Sequence, residues 1–176
     1  MKTSPIQVKE LTCITPLLPQ LVELLSACIN DDASLGFYKP AQADLLAQYW
    51  HSIENELALK QRRLFATFDN QTLLGCVQLL PCRKQNGTHR AEVEKLLVHP
   101  SAQRQGRARM LMRYVEQHAS TQGISLLVLD TQSGDKSELF YHVLGYQKAG
   151  EIPYFVTDAT GQLNATSYYY KVLSKS

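Results

Sequence analysis

From Val98 to Ala119 the chain reads VHPSAQRQGRARMLMRYVEQHA. Three arginines, Arg104, Arg107 and Arg109, surround the small residues Gly106 and Ala108, and no acid follows until Glu116. The stretch opens like the end of a strand and finishes like an amphipathic helix. A helix N-terminus presents unpaired N–H groups and about half a positive charge. Gly106 and Ala108 keep side chains out of the way, so backbone donors can approach a phosphate closely. Such a turn suits an anionic, phosphorylated ligand. A solvated basic helix start, with its glycine there for packing, fits these residues equally well. The segment is not a P-loop, since GxxxxGK(S/T) is absent. It is not a dinucleotide fingerprint either, because the third glycine and the first-strand context are missing.

The elements that must position this turn follow from periodicity and punctuation. SPIQVKELTC alternates weakly and reads as a first strand. Thr15-Pro16 predicts a helix N-cap and first turn ahead of LLPQLVELLSACIN. DDASLGFY is a loop, and KPAQADLLAQYWHSIENEL opens a second helix with Pro40 early in it. RRLFATFD, a turn at Asn70-Gln71, and TLLGCVQLLPC form two strands. RKQNGTH is a loop and RAEVEKLLV the next strand. A helix is expected from Arg104 to Gln122, with Ala108, Leu111, Met112, Val115 and Ala119 on one face and Gly123 closing it. ISLLVLD is apolar on both faces, as a covered central strand is. GDKSELFYHVLGY is a short helix with Asp135 and Glu138 spaced as a capping box and Gly145 at its end. YQKAGEIPYFVT and LNATSYYYKVL make a final hairpin. The order is β-α-α-β-β-β-α-β-α-β-β, a mixed α/β sheet in one domain spanning 1–176.

Composition narrows the function. A net charge of +2 on 176 residues is too small to argue for nucleic acid or a membrane surface. Yet Arg83 to Arg113 holds eight Lys/Arg against two acids, so a local anionic ligand fits. The opening MKTSPIQV does not read as a signal peptide, and no apolar run approaches the roughly 20 residues of a membrane span. A cytoplasmic protein is expected. The four cysteines lack CxxC spacing and the five histidines lack helical metal spacing, so neither a metal nor a disulfide is expected.

Gln103-Arg104-Gln105-Gly106-Arg107-Ala108 matches the Q/R-x-x-G-x-G/A turn of the GNAT superfamily of N-acetyltransferases. EVEKLLVHP is similar to that family's fourth strand, FYHVLGY to its late helix, and the element order agrees over nearly the whole chain. The resemblance implies an α/β (α+β) fold, a mostly antiparallel twisted sheet of about seven strands flanked by about four helices. It implies acetyl-CoA as cosubstrate. Leu96, Leu97 and Val98 would offer backbone groups to the pantetheine. The turn Gln103, Arg104, Gln105, Gly106, Arg107, Ala108 and Arg109 would take the pyrophosphate. An N–H near Leu96 would polarise the thioester carbonyl.

Amine acetylation needs a base to free the amine and an acid for the departing thiolate. Tyr141 matches the family's tyrosine in Y-x-x-x-G-F/Y and is implied as the acid; otherwise it is an aromatic packed beside Phe140 and Leu144. For the base, Glu92 and Asp130 stand level, with Glu94 behind them. Glu92 and Glu94 share a strand face unless a bulge breaks the alternation. Alternatively Asp130 caps a turn with Thr131, and the two glutamates pair with Arg90 or Lys95. A covalent route through Cys76 lacks a histidine partner in sequence.

The acceptor would be set by the first two helices and the last hairpin, which carry Phe37, Tyr38, Trp50, Tyr154 and Phe155, residues that more often build a core. Asp31 and Asp32 could meet a cationic amine. The run from LDTQSGDKSELF to TSYYYKVL resembles bacterial small-molecule acetyltransferases of the tabtoxin-resistance kind. A small-molecule amine is therefore expected, with a monomer or homodimer and no nucleic-acid or membrane partner. The rivals are a protein N-terminal or lysine acetyltransferase and a non-catalytic acyl-CoA sensor.

Overall fold

A computed structural model describes residues 7–174. The expected first strand is partly outside them, at residues 4–6; within them it is β1, Val8–Glu10. There follow α1 (Leu18–Asn30), α2 (Ala43–Ala58), β2 (Arg63–Asp69), β3 (Thr72–Pro81), β4 (Arg90–Val98), α3 (Arg107–Thr121), β5 (Leu126–Gln132), α4 (Lys136–Val143), β6 (Gln147–Thr157) and β7 (Leu163–Val172). The seven strands form one sheet in the order β1-β2-β3-β4-β5-β7-β6. Every neighbouring pair is antiparallel except β4 and β5. The expected α/β architecture of seven strands and four helices is the one observed.

Two apolar layers hold the sheet. Leu21, Leu24, Trp50 and Ile53 of α1 and α2 pack with Leu64, Ala66, Cys76 and Leu97 on one face. Leu111, Met112 and Val115 of α3 and Tyr141 of α4 pack with Val93, Leu127 and Leu129 on the other. Trp50 is sealed in the first layer, and its indole N–H donates to the Leu21 carbonyl at 3.1 Å. Tyr38, Tyr154 and Phe155 are exposed.

The decisive irregularity lies in the middle. β4 pairs with β5 only from Arg90–Glu92, against Leu126–Val128. Beyond that point β4 stays with β3 as far as Val98, while β5 stays with β7 as far as Gln132. The strands part where β4 carries one extra residue opposite Cys76–Gln78, with Lys95 at a left-handed φ of 47°. The bulge comes after Glu94, so Glu92 and Glu94 do share a face. It then inverts the alternation, sending Leu97 to the α1/α2 layer and Leu96 and Val98 toward α3. Gly75 packs under this stretch. A Cβ on it would stand 2.8 Å from the Leu97 carbonyl oxygen. Gly75→Ala is expected to destabilise the protein by roughly 1–3 kcal/mol, the usual cost of overpacking, as a lower Tm in thermal unfolding. An unchanged Tm would show that β4 yields freely here.

Four boundaries differ from the sequence reading, each for a local reason. Thr15 does not cap α1: a 3-10 turn over Thr15–Leu17 precedes the helix, and the Thr15 hydroxyl donates to Glu54 at 2.8 Å. α2 starts at Ala43, with Pro40 left in the loop and Gln42 extended as N-cap. α3 starts at Arg107 rather than Arg104, because Arg104 (φ 58°) and Gly106 (φ 79°) are left-handed. The capping box of α4 is not formed, since the Asp135 carboxylate accepts from the Ser137 hydroxyl at 2.9 Å.

Candidate active site

A cleft of about 600 Å³ lies where β4 and β5 part, walled by the end of β4, the start of α3, the start of α4 and the loop after α1. Of the residues singled out in sequence, Leu96, Leu97, Val98, Gln103, Arg104, Gly106, Arg107, Ala108, Arg109 and Tyr141 all line it. Gln105 does not. It is exposed, and its side-chain amide donates to the Ser101 carbonyl at 3.2 Å. The Val98 carbonyl is partly engaged, accepting from the Cys28 thiol at 3.5 Å.

The turn is built for close approach. The left-handed Gly106 is the N-cap of α3, and a Cβ built there meets nothing within 4 Å. The first N–H groups of the helix, from Gly106 to Arg109, therefore face an open surface with no carbonyl a turn earlier. No acid stands in the first turn, and among the described residues none of Arg104, Arg107 and Arg109 forms an ion pair. Gln103 holds the turn to the loop after α1, its side-chain amide donating to Asp31 at 3.1 Å. Asp32 binds Lys39 at 3.0 Å. Both aspartates thus border the phosphate side of the cleft with protein partners, rather than standing ready for an amine.

Tyr141 serves both readings made of it. Its ring packs against Phe140, Tyr146 and Tyr169 at 5.4, 5.9 and 6.1 Å between centroids, and the residue is 8% exposed. It also lines the cleft, and among the described residues its hydroxyl makes no hydrogen bond. Burial, then the negative charges of Asp130 and Asp135, raise its pKa well above the ordinary phenol value.

The acids lie across the opening, on the α1/α2 face of the sheet. Glu94 is committed: it accepts from Arg62 at 2.8 Å, and Arg62 also binds Glu56 at 2.7 Å and Gln78 at 2.5 Å. Tyr49 completes this network through Gln78 at 2.8 Å. Glu92 has no hydrogen bond or ion pair among the described residues. Burial, then Glu94 and Asp130, raise its pKa above the usual carboxylate range. Asp130 follows the buried part of β5 opposite Tyr168; its residue is exposed overall, and partial desolvation of the carboxyl on the strand side raises its pKa, against the pull of Lys95. Thr131 bonds Ser137 at 2.7 Å rather than forming a cap with Asp130. Neither Glu92 nor Asp130 lines the phosphate-side cleft.

Near Asp130, Phe155 stacks edge-on against Tyr168 at 5.8 Å, and the Tyr38 hydroxyl meets Thr157 at 2.7 Å. That contact joins the α1–α2 loop to β6. The arrangement can bring an anionic thioester in from one face and an amine in from the other, with proton carriers on both sides. Cys76 is fully buried and burial raises its thiol pKa strongly, which keeps it protonated and inert. Arg62 and the start of α4 as a wall of the cleft were missed in sequence, and Lys95, expected only as a partner for the glutamates, stands instead at the bulge while Glu94 pairs with Arg62. Arg62 had no local signal, because its partners come from three other elements.

No described helix is long and apolar enough to cross a membrane, and no three His, Cys, Asp or Glu side chains are grouped to hold a metal among the described residues. Several solved structures share the fold. An N-acetyltransferase from Staphylococcus aureus Mu50 is 16% identical with a TM-score of 0.78, covering 97% of this chain and 100% of its own. The protein yncA from Salmonella typhimurium, solved with its cofactor acetyl-CoA, is 14% identical with a TM-score of 0.77, covering 98% and 96%. The ribosomal-protein-S18-alanine N-acetyltransferase from Escherichia coli is 17% identical with a TM-score of 0.73, covering 97% and 96%. Residues 21–146, running from within α1 to just past α4 and including the cleft, match the acetyltransferase (GNAT) family, and the chain belongs to that family of acyltransferases.

Proposed function

We propose that this protein transfers the acetyl group of acetyl-CoA directly to the primary amine of a small molecule. The observation that carries this is the parting of β4 and β5. It joins an anion-shaped helix start and Tyr141 on one face to two unpaired acids on the other. The wall fits the cosubstrate, since Gly106 leaves its side-chain space open and three arginines there have no acidic partner among the described residues. A bound acetyl-CoA supplies an activated thioester.

The chain's own residues do the rest. The amides from Gly106 to Arg109 hold the pyrophosphate. The edge of β4 at Leu96–Val98, freed from β5, offers backbone groups to the pantetheine arm, and an amide near Leu96 holds the acyl oxygen. Glu92 or Asp130 takes the ammonium proton. An alkylammonium has a pKa of about 10, so a carboxylate whose pKa is raised is a better match than an ordinary one. Tyr141 donates at sulfur as negative charge develops there. Its raised pKa weakens it as an acid, but burial raises the thiol's pKa in the same place and narrows the gap.

The small-molecule acceptor rests on the resemblance of residues 129–173 to the tabtoxin-resistance kind. The Tyr38–Thr157 bridge to the last hairpin and the Phe155–Tyr168 pair within it also suit a bounded acceptor pocket. We read the whole of 1–176 as one cytoplasmic domain, working as a monomer or homodimer. Thiol release from acetyl-CoA across a panel of small amines and peptides tests the function. Release should depend on a small amine and should fall as pH drops, because protonating Glu92 or Asp130 removes the base. That loss should begin above the ordinary carboxylate range, since both pKa values are raised. Acetylation of peptides alone would overturn the small-molecule assignment.

A further inference from the structure

The buried stripe of α3 runs Arg107, Leu111, Val115, Ala119, one residue per turn. Three of these are apolar and the first is a cation. Arg107 is only 6% exposed. Among the described residues its Nε and Nη1 have no hydrogen-bond partner and are sealed from solvent, which leaves Nη2 as the nitrogen open to the cleft that the residue lines. Arginine cannot escape burial by losing its proton. An unpaired buried charge is therefore a standing cost that some anion must offset. Among the described residues no carboxylate pairs with it, and the first turn of α3 carries no acid. Arg104 and Arg109 differ: both are exposed, and water already screens them.

We infer that Arg107 is a buried specificity residue whose counter-charge is the phosphate end of the ligand seated on the start of α3. This rests on the acetyl-CoA reading and goes beyond it, because the turn alone needs only the backbone of residue 107. Two consequences follow from the charge balance. The side chain discriminates phosphorylated thioesters from pantetheine thioesters that lack the anion. It also makes the ligand-free protein less stable than an apolar residue would, so ligand binding and stability are coupled through one side chain.

The test is Arg107→Met, followed by calorimetric titration and thermal unfolding. CoA affinity should fall roughly 10- to 100-fold, the range for losing a hydrogen bond to a charged group. Affinity for pantetheine should stay put. Without ligand the variant should melt above wild type, since an apolar side chain of similar length replaces an unsatisfied one. Saturating CoA should raise its Tm less than it raises that of wild type. Arg107→Lys keeps the charge and should retain part of the CoA affinity. It serves as the measured variant if Arg107→Met fails to fold.

Wild-type CoA affinity in either folded variant, or an equal loss for pantetheine, would overturn the inference. Inorganic pyrophosphate separates it from the reading it rests on. If CoA does not bind wild type but pyrophosphate raises the Tm of wild type and not of the variant, the acetyl-CoA reading fails and the role of Arg107 stands. If neither CoA nor pyrophosphate shifts wild type, both fall.

Discussion

Tyr141→Phe is expected to bind acetyl-CoA normally and to lose roughly 10- to 10³-fold in kcat, allowing for partial substitution by water in general acid catalysis. The substitution removes one oxygen. The ring stays against Phe140, Tyr146 and Tyr169, so the α3 side of the core keeps its packing. Among the described residues the hydroxyl has no hydrogen-bond partner to orphan, so Tm should barely move. The deficit should appear equally in kcat and kcat/KM, as it does for an interaction made only in the transition state. Steady-state kinetics with the best acceptor amine checks this. A folded Tyr141→Phe protein with wild-type kcat, where chemistry limits the rate, would leave Tyr141 as a core residue and nothing more.

Gly106→Glu should lose at least about tenfold in CoA affinity, near 1.4 kcal/mol. Two effects act together. The left-handed φ of 79° is costly for a residue with a Cβ, and a carboxylate would stand among the amides meant for phosphate. Gly106→Ala separates them. Nothing lies within 4 Å of the added carbon, so alanine carries the backbone strain without the charge and should bind better than glutamate. Affinity for CoA should also fall as salt rises, because the ligand is anionic and the exposed Arg104 and Arg109 are screened. Unchanged CoA affinity in a folded Gly106→Glu protein would remove the turn from the binding site.

The turn was legible because it is local. Glycine, alanine and arginine at fixed spacing after a strand carry the same meaning wherever the sheet places them. Strand and helix identities were legible for the same reason, through periodicities of two and near four. What was not legible depends on distant partners. Glu94 is removed from the base candidates by Arg62, which lies 32 positions earlier and at the far side of β3. The bulge at Lys95 inverts the faces of Leu96 and Leu97, and no residue type in EVEKLLV announces it. The α3 boundary slipped by three residues because Arg104 takes a left-handed φ that arginine rarely adopts. Arg107 was legible as part of the turn, but its burial was not: the expected apolar face began at Ala108, whereas the buried stripe begins one residue earlier, with a charge.

The central claim is direct transfer from acetyl-CoA to an amine across the parted strands. A single-turnover experiment tests it most directly. The protein is mixed with isotopically labelled acetyl-CoA, quenched, and weighed intact by mass spectrometry, with and without acceptor amine. The account predicts an unmodified protein without amine and labelled N-acetyl product, with matching thiol release, when amine is added. Label that accumulates on the protein before amine is present would contradict direct transfer, and acetyl-CoA held tightly with no labelled product from any small amine or peptide would contradict catalysis.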